Sequence, residues 1–112
     1  MLLKMRLEDL GHQVDVSFHG GEGCKMVLEY NYDVIVLDLM LPGKNGRQIS
    51  SELRESSVTT PIIMISAIDE RDEATGEMPP GVNGFLVKPF KFEDLNKKIS
   101  DLFNSRKNNG IQ

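Results

Sequence analysis

Tryptophan is absent from these 112 residues, cysteine occurs once, and basic residues never cluster. With Cys24 alone, neither an intramolecular disulfide nor a multi-cysteine metal site can form. A reducing, cytoplasmic setting fits that count. The 13 Lys and Arg are scattered among 17 Asp and Glu, leaving a net charge of -4. A phosphate backbone needs a basic face, so nucleic acid is not expected as a direct partner. No apolar run approaches the about 20 residues of a membrane-spanning helix, so no membrane association is expected either. Met1-Leu2-Leu3 runs at once into Lys4, Arg6, Glu8 and Asp9, without the apolar core of a secretion signal. There is no internal repeat. What is present is globular: 39% hydrophobic and 27% charged, enough for one domain with a true core.

Leu3, Leu7 and Leu10 make one helical stripe, with Gly11 placed to close it. Val14, Val16 and Phe18 alternate with Asp15 and Ser17, the pattern of a half-covered strand. His19-Gly20-Gly21 reads as a turn, followed by a short helix from Gly23 to Tyr30 that turns Cys24, Val27 and Leu28 inward. Leu41 to Gly46 is a loop, punctuated by Pro42, Gly43 and Gly46. Ile49 and Leu53 mark the next helix. Asp69 to Glu77 is weakly helix-compatible until Pro79-Pro80 stop it. A last helix carries Leu95, Ile99, Leu102 and Phe103 inward; the domain is expected to span 1–103, with a frayed polar tail over 104–112. Strands alternating with helices predict an α/β domain with a parallel sheet of four strands, covered on both faces.

Three short apolar runs carry the chemistry. Val34 to Leu37 runs into Asp38, Ile62 to Ile65 into Ser66, and Phe85 to Val87 into Lys88. Such β-branched runs read as strands buried on both faces, and ligands of open parallel sheets sit beyond the carboxyl ends of the strands. A carboxylate, a hydroxyl and an ammonium would then meet at one edge. A carboxylate can take up a phosphoryl group as an acyl phosphate. The transferred group spreads charge over its oxygens and needs a facing cation, which Lys88 could supply. Ser66 could donate to a phosphate oxygen. Mg2+ asks for oxygen ligands, of which Asp38 and the backbone carbonyl of Met40 are the two on offer. Singly, each residue reads as an ordinary cap, turn or solvated end; their joint placement at three strand ends is what points to phosphoryl transfer.

The segments Tyr32 to Gly43 with Gly46, Pro61 to Ala67, and Gly84 to Phe90 resemble, in order and spacing, the receiver domain of two-component response regulators. The resemblance covers nearly the whole chain. It implies a flavodoxin-like three-layer fold and a sensor histidine kinase as partner. Asp38 would be the phosphoacceptor, Ser66 the switch hydroxyl, Lys88 the cation pairing with the phosphate, and Phe85 the switch aromatic. A cis bond between Lys88 and Pro89 is implied as well, as is Mg2+ bound partly through Asp38 and the Met40 carbonyl.

The chain departs from that pattern at two places. The family's first strand, central in its sheet and ending in an acidic pair that holds Mg2+, has no counterpart before Leu3; Glu8 and Asp9 sit on a helix end and do not replace it. Mg2+ binding is therefore expected to be weak or absent. The first third is expected to be disturbed, or to pair between copies as a homodimer or strand-exchanged oligomer. The second departure is Thr75 to Gly81, which should break the helix usual after the Ser66 strand. The leading expectation is a phosphorylated switch read by a protein partner, and the alternative a phosphorylation-independent interaction module. Enzymatic readings fit less well: a flavin binder lacks its phosphate loop, and an Asp phosphatase lacks a second acid where Met40 stands. His12 and His19 read as surface turn residues, and Asp69 to Glu73 as a solvated face.

Overall fold

The computed structural model describes residues 2–17, 19–38, 46–69, 71 and 73–111. The elements, in chain order, are α1 (Leu2–Asp9), α2 (Gly20–Glu29), β1 (Ile35–Asp38), α3 (Gly46–Glu55), β2 (Ile62–Ser66), β3 (Gly84–Val87) and α4 (Phe92–Ile111). Among the described residues the sheet has three strands, in the order β1-β2-β3, all parallel. That is one strand fewer than the sequence pattern predicts.

Strand alternation sorts the core into two faces. Ile35, Leu37 and Ile62 pack with Cys24 of α2 and with Ile49 and Leu53 of α3. Ile63, Ile65 and Leu86 pack on the other face with Leu7 of α1 and with Leu95 and Ile99 of α4. The result is helix, sheet, helix: three layers, as expected of a flavodoxin-like fold. The runs around Ile62 and Leu86 are apolar at every position because both sides of their strands are covered.

The missing strand is the one expected over Val14 to Phe18. Residues 12–17 are irregular, and Phe18 lies outside the described residues. Val14 does turn inward against the α1–α4 core, so the alternation identifies the covered face correctly. Its described residues pair with no strand of the sheet. A cavity of about 130 Å³ is lined by Asp15 and Ser17 of this segment, by Val34 to Leu37 along β1, and by residues of α2 and α3. The disturbance is local. Leu7 is buried, and the Arg6 guanidinium lies 4.0 Å above the Phe92 ring, so α1 is docked on α4.

Other local expectations need correction. Gly20 and Gly21 are helical, because the His19 ring accepts a hydrogen bond from the Gly21 N–H at 3.3 Å and caps α2. Leu10, Leu28 and Phe103 are exposed: each has the right spacing, but no described element lies opposite it. The helix expected to end at Phe103 runs on to Ile111. Gly11, with φ +94°, does end α1 by a left-handed residue. The stretch from Ala67 to Asn83 holds no helix among its described residues, as the Thr75 to Gly81 sequence predicts.

Candidate functional site

The parallel register brings the three strand ends to one edge. Asp38 lies beside Ile65, and Ile65 beside Leu86. Ile65 and Leu86 point into the α1–α4 core, so the side chain of Asp38 emerges on that face, and so does that of Lys88, two residues beyond Leu86. The Lys88 N–H donates to the Ser66 carbonyl at 2.7 Å, extending the ladder one step and fixing where the Lys88 stem leaves the backbone. The Lys88–Pro89 peptide is cis. Lys88 Nζ then donates to Asp38 Oδ2 at 2.7 Å. The two side chains keep 38% and 37% of their exposure, which leaves the pair open to a solute arriving at this edge.

Ser66 stands beside them but is turned elsewhere. It falls in the opposite row, with Met64, Phe85 and Val87, and is buried. Its Oγ accepts the Ile68 N–H at 3.1 Å. The carboxylate and the ammonium thus meet directly, whereas the hydroxyl is next to them in the chain fold and engaged by the loop that follows β2.

Phe85 is buried against Met64 and Val82, with Val87 alongside. Its outer face meets Arg71, whose Cζ lies 5.9 Å from the ring centroid. Arg71 is itself held by Asp69 through a two-pronged pair, Nε to Oδ1 at 2.9 Å and Nη2 to Oδ2 at 2.7 Å. Those side-chain bonds, together with the Arg71 N–H on Oδ1 at 3.0 Å, hold the Asp69 carboxyl down to about 2. The solvated-face reading of this run accounts for its exposure but not for the ring contact. Opposite charges two residues apart, just past a strand ending in Ser66, were the available signal.

Of the two expected Mg2+ ligands, Asp38 is described and Met40 lies outside the described residues. Among the described residues no group of three His, Cys, Asp or Glu could hold a metal ion. Mg2+ needs several oxygen ligands around it, so the described residues do not by themselves make a Mg2+ site. The histidines do not gather either: His19 caps α2, and His12 Nε2 lies 3.4 Å from Asn96 Oδ1. No helix among the described residues is long and apolar enough to cross a membrane.

Comparison with known proteins gives one consistent picture. A family model described as the response regulator receiver domain matches residues 1–100. The response regulator ArlR of Staphylococcus saprophyticus is 36% identical over 97 residues, which are 87% of this chain and 44% of that protein. The transcriptional regulatory protein CiaR of Streptococcus pneumoniae is 40% identical over 96 residues, 86% of this chain and 42% of that protein. The matches thus span under half the length of these relatives. Among solved structures, the receiver domain of the Francisella response regulator 1452 superposes with a TM-score of 0.86 at 30% identity, covering 94% of this chain and 87% of that one. The response regulator TrrA of Thermotoga maritima, solved in complex with Mg2+-BeF, gives 0.77 at 29% identity over 90% of this chain and 86% of its own.

Proposed function

We propose a function from one premise: the chain belongs to the response regulator receiver domains of two-component systems. Asp38 accepts a phosphoryl group from the phosphohistidine of a sensor kinase. A carboxylate oxygen of Asp38 attacks phosphorus, the P–O bond forms as the P–N bond breaks, and the leaving imidazole nitrogen takes up a proton. The observation that carries this reading is the 2.7 Å pair between Asp38 and Lys88 at the carboxyl edge of the sheet, half-open to solvent. Lys88 is placed to pair with the carboxylate before transfer and to face the new phosphate oxygens after it. Ser66 would leave the Ile68 N–H and turn to the phosphate, and Phe85 would follow as the switch aromatic.

The output is a change in protein binding. Where relatives are transcriptional regulators, a longer parent of this chain would pass the switch to a DNA-binding partner region. Membership of this family also supports a cytoplasmic location.

Incubation with acetyl phosphate and Mg2+ is expected to add one phosphoryl group, read by intact mass, and to add none to Asp38→Asn. Labelling should be slow, because the described donors for Mg2+ are few. Equal labelling of the Asn variant would overturn the acceptor assignment. No label at all, with no Mg2+-dependent shifts at Asp38, Ser66 and Lys88 by NMR, would favour the phosphorylation-independent module instead.

A further inference from the structure

We propose that Arg71 is a positioning residue of the switch: tied to Asp69, it closes over the outer face of Phe85 and holds that ring buried before any phosphoryl group arrives. The inference rests on reading Phe85 as the switch aromatic, and goes beyond it by assigning what governs the ring.

The two-pronged Asp69 pair orients a planar guanidinium, which a single hydrogen bond would not do. A cation held within about 6 Å of a ring centroid is attracted by the ring face, and Arg71 lies at 5.9 Å. Met64 and Val82 close the inner side of the ring. Phe85 is thus covered on one side by core and on the other by a cation, and it is buried while Ser66 Oγ is still bonded to the Ile68 N–H.

The same short loop carries the coupling. Ser66 is bonded to Ile68, and Asp69, the next residue, is bonded to Arg71. If the Ser66 hydroxyl turns toward a phosphate, the Ile68 N–H loses its acceptor, and the segment bearing the Asp69–Arg71 pair loses its local anchor. The clamp then loosens. Neither Arg71 nor Asp69 is needed for the core, because both side chains are about half exposed.

The test needs no phosphodonor, so its failure would leave the Asp38 assignment standing, and that assignment has its own test in Asp38→Asn. In unphosphorylated protein with labelled phenylalanine, Arg71→Ala is expected to raise the outward population of the Phe85 ring about two- to fivefold. The readouts are lost NOEs to the Met64 and Val82 methyls and faster relaxation by a soluble paramagnetic probe. Asp69→Asn should shift the ring in the same direction and add nothing in the Arg71→Ala background. Arg71→Lys, which keeps the charge without the fork, should fall between. Amide shifts remote from the loop and ring should stay put. Unchanged NOEs and relaxation in Arg71→Ala would overturn the clamp, and additive effects of the two substitutions would overturn the role given to Asp69.

Discussion

The two ends of the sheet are built on opposite plans. At the end where β2 and β3 begin, the Arg54 guanidinium makes five hydrogen bonds: Nε and Nη2 to the Gly81 carbonyl, Nη1 to the carbonyls of Val58 and Thr60, and Nη2 again to Asn83 Oδ1. Five is the full donor capacity of a guanidinium. Asn83 Oδ1 also accepts the Ile62 N–H at 2.9 Å. At the other end, Lys88 Nζ has three donors and, among the described residues, gives one bond, to Asp38. An arginine with every donor engaged fixes architecture. An ammonium with capacity left over can exchange partners, which is what a group that comes and goes requires.

Substitutions at the two ends should therefore separate stability from chemistry. Arg54→Met is expected to cost about 2–3 kcal/mol, read as a lower denaturation midpoint, because three carbonyls and an amide oxygen lose a charged donor together. Gly81→Ala comes next, at about 1–2 kcal/mol. Gly81 has φ +83°, and an added Cβ would stand 2.9 Å from Ser50 Oγ and 3.0 Å from Arg54 Cγ, pushing on the arginine itself. Ser57→Gly should act in the other direction. Ser57 follows α3 with φ +64°, a left-handed conformation that costs a side-chain-bearing residue, so glycine is expected to add about 0.5–1 kcal/mol. Lys88→Met should change stability least, within about 0.5 kcal/mol, since the pair it breaks is half-exposed. Its phosphoryl uptake should nonetheless fall about tenfold or more. A large loss of stability in Lys88→Met, or an intact midpoint in Arg54→Met, would erase the contrast between the ends.

Much of this arrangement is legible along the chain. The apolar runs before Asp38, Ser66 and Lys88 need cover on both faces, and a parallel sheet is the structure that supplies it. Ile49, Leu53, Leu95 and Ile99 are spaced for one helix face, and each is buried. Other positions with equally good spacing are not. Leu10, Leu28 and Phe103 occupy the margins of their stripes, where burial depends on whether a neighbour lies opposite. Alternation over Val14 to Ser17 identified an inward side without securing a ladder, because a ladder needs a partner at about 4.8 Å. His19 looks like turn chemistry in the sequence, yet its ring nitrogen caps α2.

The residues that tie distant segments together left the faintest trace. Arg54 reaches Asn83, and Arg71 reaches Phe85. Each resembles any other surface arginine in its own neighbourhood. By itself, the order of residues determined where strands and helices could form and which three polar groups would end the strands, and it predicted the break in helix that the described residues after Ser66 show. Only folding decided which of those groups touch, that the hydroxyl of Ser66 is turned to its own loop, and which cations are saturated. Periodicity and turn chemistry act over a few neighbours, whereas a hydrogen bond between residues far apart in the chain exists only once the layers have packed.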